Sequence, residues 1–259
     1  MSQTVLITGA SNGIGKACAR VFARKGYDLA LLARHREKLE AVKAELSEYD
    51  VNIKVVAMDL TGEDAAVDLY NNLVLDDISI DILVNNAGFG DHGAFHDSSW
   101  EKQKKMVLLN IMALMQMTYV FGQSMKLRKK GRILNVASIA GLCAGPYMST
   151  YYATKAYVTS LTTAIHGELR DLKSNVHISM LCPGPVDTNF NNVANVKFAL
   201  SGIPADYCAY YALCKMFTGK LTIVPTFTMK AGVFGSRFLP RQVLAFMTGH
   251  QQKKKTDNI

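Results

Sequence analysis

Apolar residues along this chain fall into two kinds of segment. Short, nearly continuous runs occupy Thr4–Thr8, Asp28–Ala33, Asn52–Met58, Asp81–Asn85, Arg132–Ala137 and Val176–Cys182. Runs of this length, rich in Val, Ile and Leu, suit strands buried on both faces. Between them lie longer stretches with helical spacing: Gly13–Lys25, Glu37–Ser47, Glu63–Leu75, Ser99–Lys126 and Thr150–Leu172. Leu221–Val224 reads as a last short strand. A helix is expected to start near Pro204 and to run to about Phe217, with Gly219 as its stop.

Strands that alternate with helices predict a parallel sheet covered on both faces. The fold class is therefore α/β, a single Rossmann-type doubly wound domain over residues 1–259. No linker, repeat or low-complexity segment interrupts it. Residues 226–259 read as a C-terminal helical extension. Phe227, Phe234, Phe238, Leu244, Phe246 and Met247 alternate there with Lys230, Arg237 and Arg241, and Pro240 breaks or starts a helix.

Composition narrows the function classes. Apolar content of 49% with 19% charged residues excludes a disordered chain. The net charge of +8 fits an anionic ligand, a membrane surface or nucleic acid. Part of that excess sits in the tail run Lys253, Lys254 and Lys255, which no interleaved aromatics accompany, so nucleic acid is not an expected partner. Five cysteines form no CxxC pair, so a reduced, cytoplasmic protein without a metal site is expected. The chain runs directly into its first strand, without the pattern of a signal peptide. Met106 to Met125 carries no charge and is long enough to span a bilayer. Asn110, Gln116, Thr118 and Gln123 interrupt it, and cations flank both ends. A helix buried against the sheet, and against a partner subunit, is the expected reading.

The first strand-to-helix turn reads Thr8-Gly9-Ala10-Ser11-Asn12-Gly13-Ile14-Gly15. Glycines allow a sharp turn and close approach to a phosphate. The helix start then offers unpaired N–H groups to a pyrophosphate. The spacing differs from the general dinucleotide fingerprint. Where NAD-binding units place an acid after the second strand, this chain has Arg34, with Arg36 nearby. An arginine fork suits a ribose phosphate, so NADP(H) is the expected cofactor.

Ser138 follows the strand Arg132–Ala137, and Tyr151 and Lys155 lie on the next helix. Four residues apart, Tyr151 and Lys155 share a helix face. Free tyrosine titrates near about 10. A neighbouring ammonium favours the tyrosinate, and bringing the phenol near neutrality takes roughly 3–4 kcal/mol. Ser138 is suited to hydrogen-bond a substrate carbonyl oxygen. Tyr152 is also within helical reach of Lys155, and geometry does not choose between the two tyrosines.

Taken together these segments resemble the short-chain dehydrogenase/reductase family over at least residues 1–190. The matching motifs are Thr8-Gly9-x-x-x-Gly13-x-Gly15, Asp59-Leu60, Asn85-Asn86-Ala87-Gly88, Asn110, Ser138, Tyr151-x-x-x-Lys155 and Pro183-Gly184. The resemblance selects Tyr151 as general acid and base. It implies that Lys155 binds the nicotinamide ribose and depresses the tyrosine, that Ser138 positions the substrate oxygen, and that Asn110 holds a water linking Lys155 to solvent. Gly9, Ser11, Asn12, Gly13, Ile14 and Gly15 would cradle the phosphates. Asp59 and Leu60 would flank the adenine, and Asn86, Ala87 and Gly88 would support the ribose. Pro183, Gly184, Val186 and Thr188 would sit by the nicotinamide. Steroid- and ketoacyl-type carbonyl reductases are the implied branch.

Residues 186–217 fall where that family keeps its substrate loop and lid. Phe190, Val193, Val196, Phe198 and Leu200 suit a hydrophobic carbonyl or alcohol, with Phe89, Cys143, Tyr147 and Met148 as further lining. The last strand lacks the family's usual glycine pair. A homodimer or higher homo-oligomer is expected, with dimerisation through the long helix after Asp97 favoured over the usual tetramer through that strand. The basic, aromatic extension makes a membrane surface a candidate partner. A non-catalytic cofactor sensor on the same fold is the competing class.

Overall fold

The computed structural model describes residues 2–190 and 202–253. Its centre is a seven-stranded, wholly parallel sheet. The strands are β1 (Thr4–Thr8), β2 (Asp28–Ala33), β3 (Ile53–Ala57), β4 (Ile80–Asn85), β5 (Gly131–Val136), β6 (Val176–Leu181) and β9 (Thr222–Ile223), in the order β3-β2-β1-β4-β5-β6-β9. A separate parallel pair joins β7 (Val186–Asp187) to β8 (Ile203–Pro204), a feature the hydropathy pattern does not reveal. Strand order reverses between β1 and β4. That switch point opens a crevice at the strands' carboxyl ends, where ligands of such sheets bind.

Side chains of β1 alternate between two cores. Val5 and Ile7 face α1 (Gly13–Ala23), α2 (Arg36–Glu45) and α7 (Ala205–Phe217). Leu6 faces α3 (Ala65–Leu75) and α5 (Leu114–Leu127) on the other side. Both faces of β1, β2 and β4 are thus buried, which explains why these strands read as continuous apolar runs, while the edge strand β3 exposes Lys54. Helix α7 occupies the second half of the expected lid. It is instead a core helix, with Cys208, Ala209, Ala212, Leu213 and Met216 buried in the α1 layer. Val193, Val196, Phe198 and Leu200 lie outside the described residues.

The long apolar segment forms one continuous helix, Trp100–Leu127, long and apolar enough to cross a bilayer. It lies on the sheet, burying Met106, Ala113, Met117, Phe121 and Met125. Three of its four polar interruptions are paired, while Gln123 lies exposed. Gln116 bonds the Glu63 carbonyl and the Ala66 amide, and Thr118 bonds Asn85. Between α4 (Trp100–Val107) and α5 the helix widens into a π-helical segment, Leu108–Ala113, that carries Asn110. The extension forms α8 (Phe227–Ser236) and α9 (Arg241–Lys253), separated at Pro240 as expected.

Candidate active site

The phosphate loop is held by hydrogen bonds from the neighbouring strand end. The Thr8 hydroxyl accepts from the amides of Asn86 (3.0 Å) and Ala87 (2.9 Å). Asn86 Nδ2 donates to the carbonyls of Thr8 and Gly9. The motif after β4 therefore fixes the motif after β1, and Thr8 is the hub. Gly13 has φ +50°, and a Cβ there would meet Thr188 at 2.9 Å. At Gly15 a Cβ would press into the Gly9 carbonyl oxygen. Asn12 caps α1, its side chain accepting from the Gly13 amide. These are the features a backbone cradle for a pyrophosphate requires, and the crevice fits a dinucleotide.

Arg34 stands exposed just beyond β2 and makes no ion pair among the described residues. Arg36 is engaged with Glu40 at 3.2 Å. After β3, Asp59 Oδ1 accepts from the amide and hydroxyl of Thr61, closing a tight turn. Leu60 is buried beneath the crevice with Leu6, Ala30 and Leu32.

Tyr151 and Lys155 lie one turn apart on α6 (Ser149–Asp171), and both are buried. The Lys155 ammonium sits 5.9 Å from the Tyr151 ring centre and donates to the Val136 carbonyl at 2.8 Å. Ser138 caps the turn after β5, accepting from the Ala140 amide. It also faces the Tyr151 phenol closely enough to pull its pKa down. The side chains that distinguish the two tyrosines differ. Tyr152 OH accepts from Gln252 Nε2 of α9 at 2.8 Å, whereas Tyr151 faces Ser138.

The electrostatics correct one expectation. Tyr151 is not depressed; burial pushes it up to about 12, against the opposing pull of Ser138. Removing a phenolate from water outweighs that pull, and the neighbouring Tyr152 adds to the rise. The same burial lowers Lys155 to about 8. Each group shifts toward its neutral form.

Asn110 is paired rather than open. Its Nδ2 donates to the Phe89 carbonyl (2.9 Å) and the Thr154 hydroxyl (3.1 Å), and its Oδ1 accepts from the Phe89 amide. The π-helical turn aims it at the loop after β4. Thr154, the hub hydroxyl of Thr8 and the π turn all escape a reading of the sequence. Their partners lie 21 to 79 positions away, and nothing local marks them.

Phe190 lies 5.5 Å, ring to ring, from Tyr151, and packs with Phe89, Met106 and Met148. Pro183 takes a long hydrogen bond from Ser138 (3.5 Å), and Gly184 abuts Met229 of α8. Val186 is buried in the β7–β8 pair. Tyr147 holds a left-handed φ of +64°, stacked on His92 at the rim. The crevice and the Ser138–Tyr151–Lys155 group thus share one end of the sheet.

Comparison with known proteins agrees with that geometry. A family model described as short chain dehydrogenase matches residues 3–197. The very-long-chain 3-oxoacyl-CoA reductase of Coccidioides immitis (strain RS) is 35% identical over 75% of this chain and 56% of its own length. The mouse (Mus musculus) 17-beta-hydroxysteroid dehydrogenase type 3 is 35% identical over 76% of this chain and 64% of its own. The chain thus spans 56 to 64% of these two relatives. A solved short-chain dehydrogenase from Sphingobium yanoikuyae, in complex with NADPH, superposes with a TM-score of 0.81 at 30% identity, covering 91% of this chain and 93% of that one. By its motifs, its sheet and this match over three quarters of its length, the chain belongs to the short-chain dehydrogenase family.

Proposed function

We propose that this protein is an oxidoreductase that moves a hydride between NADP(H) and the carbonyl or secondary alcohol of an apolar small molecule, with Tyr151 as proton donor and acceptor. The observation that carries the reading is the buried Tyr151 phenol, facing Ser138 and one helical turn from Lys155. The bound dinucleotide supplies the hydride in reduction and accepts it in oxidation. In reduction, Ser138 and Tyr151 hold the carbonyl oxygen, and the Tyr151 proton passes to that oxygen as the hydride reaches the carbon. A phenol kept protonated by burial is ready for that direction. Lys155 and Asn110 position the ribose and the tyrosine. Met148, Phe89 and Phe190 around the phenol favour an apolar substrate frame. The names of the two relatives, a 3-oxoacyl-CoA reductase and a hydroxysteroid dehydrogenase, are consistent with such substrates.

The choice of NADP(H) rests on Arg34, an exposed guanidinium without a carboxylate partner among the described residues. In the same reading the enzyme is cytoplasmic. It is a homodimer through the long helix, whose Val107, Met112 and Tyr119 are exposed.

The test is NADPH oxidation with a panel of apolar ketones. Tyr151→Phe keeps the ring and deletes the proton, so the rate is expected to drop about 10²–10⁴-fold. Undiminished reduction by that variant overturns the assignment. Arg34→Asp is expected to shift preference toward NADH by roughly 10–100-fold, the worth of one or two charge-assisted hydrogen bonds. An unchanged preference returns the cofactor question to the open choice between NAD(H) and NADP(H).

A further inference from the structure

Helix α8 contradicts the usual economy of an apolar helix. Its sequence, Phe227–Ser236, holds a single charged residue, yet no position on it is buried. Phe227 and Phe234 are 82% and 61% exposed, Phe238, 5.4 Å ring to ring from Phe234, is 74% exposed, and Phe246 of α9 is 78% exposed. A helix that is apolar on every side is ordinarily covered by protein or lipid. Contiguous exposed aromatics such as the Phe234–Phe238 pair mark an interaction surface.

The charge around this patch has one sign. From residue 207 to residue 256 the chain holds eight of its 29 Lys and Arg and none of its 21 Asp and Glu. Everything outside that stretch therefore carries 21 of each sign, and the whole net charge of +8 resides here. Beneath α8, between α7 and the edge strand β9, a groove of about 750 Å³ is lined by Lys215, Lys220, Lys230 and Arg237 with Tyr211 and Phe234. None of these four cations makes an ion pair among the described residues. Lys230 and Lys215 instead converge on the Tyr211 ring, at 5.1 and 5.8 Å from its centre. Like charges held together await a polyanionic partner.

We infer that α8 and α9 form a docking face for an anionic phospholipid bilayer. The phenylalanines enter the acyl boundary, and the cations of the groove and of Arg241 meet the headgroups. Apolar burial and electrostatic attraction together set the strength of such interfacial binding. The aromatic patch and the acid-free segment are what select a lipid surface over a soluble anion. The face is fastened to the site. Met229 abuts Gly184, and Thr248 and Gln252 bond Ala144 and Tyr152. A docked bilayer therefore lies beside the loop that precedes Tyr151.

The experiment is sedimentation of the full chain with vesicles of phosphatidylcholine alone and of phosphatidylcholine with phosphatidylglycerol. Partitioning is expected to rise at least about tenfold with the anionic lipid and to fall with added salt. Each cation near the surface counts for roughly fivefold, so Lys230→Glu/Arg237→Glu/Arg241→Glu is expected to lower binding about a hundredfold or more. Phe234→Ser/Phe238→Ser/Phe246→Ser is expected to lower it at least about tenfold. Circular dichroism confirms that each variant folds, since the altered side chains are exposed. Equal binding to neutral and anionic vesicles, or wild-type binding by the folded variants, overturns the proposal. So does light scattering that shows a dimer in the wild type and a monomer in the Phe variant, which gives the face to a second copy.

Discussion

The crevice between β1 and β4 and the C-terminal face of α8 and α9 reach the same site by opposite means. In the crevice, backbone meets backbone. Asn86 and Thr8 stitch two strand ends together, and at Gly15 there is no room for a methyl group. On the C-terminal face, side chains do the joining, through Gln252 on Tyr152, Thr248 on Ala144 and Lys253 over Tyr147. None of α8 is buried, and only Gly249 and Gln252 of α9 are. The first region is held by backbone packing without room for a Cβ at Gly15 and by hydrogen bonds between two strand ends. The second is adjustable, because side-chain contacts break one at a time. A cofactor shared by many substrates suits the rigid half, and a substrate that differs between relatives suits the adjustable one.

The largest expected effect breaks the rigid half. Gly15→Ala drives a Cβ into the Gly9 carbonyl, and neither backbone segment has slack. Destabilisation of about 3 kcal/mol is expected, together with loss of dinucleotide binding. Thermal melting and fluorescence titration with NADPH check both. A variant that binds NADPH like the wild type would mean the loop is softer than its contacts imply.

Lys155→Met, at the junction of the two regions, is next. Burial lowers Lys155 to about 8 from its ordinary 10.5, so the unfolded chain binds more protons between those values and wild-type stability rises with pH there. Below about pH 8 the folded protein carries the full penalty, about 3 kcal/mol for a charge this deeply buried. Methionine removes that cost but strands the Val136 carbonyl, which costs about 1 kcal/mol. A net gain of about 2 kcal/mol at pH 7 is expected, shrinking as pH rises from 8 toward 10.5, with loss of carbonyl reduction. In the wild type, kcat/KM for reduction is expected to decline above about pH 8 as Lys155 loses its proton. Melting curves across pH, beside the rate profile, measure both. A destabilised methionine variant would show that the ammonium is better solvated than its burial implies.

The same contrast governs what the sequence discloses. Close backbone approach demands glycine, so Gly9, Gly13 and Gly15 announce the phosphate loop. Strands covered on both faces must be apolar throughout, so Thr4–Thr8 and Asp28–Ala33 are legible to the residue. Tyr151 and Lys155 were visible as a helical pair, but their separation from Tyr152 came from family spacing. In the structure that separation has a physical basis, since Gln252 engages Tyr152 from 100 positions away. Long-range side-chain pairings of this kind leave no local trace. Neither does the π-helical turn at Leu108–Ala113, whose residues are ordinary helix formers. The sign of the Tyr151 shift was also hidden, because it depends on burial by Phe190 and Met148 rather than on the lysine four residues on.

Gln252→Ala is the smallest change and tests the adjustable half directly. Gln252 is buried, and its amide donates to Tyr152 OH at 2.8 Å. Its loss leaves the half-buried phenol without that donor, at a cost of about 1 kcal/mol. Burial already pushes Tyr152 up, and Gln252 opposes it, so the variant's Tyr152 should rise further and stay neutral at working pH. No charge therefore appears next to Tyr151, and reduction of a water-soluble ketone should change only a few-fold. Hydrogen exchange should report faster opening of α9 with little change in β1 or β4, because local stability follows local contact. If exchange in the crevice accelerates equally, the C-terminal helices are part of one cooperative unit with the sheet, and the division between a rigid and an adjustable half fails.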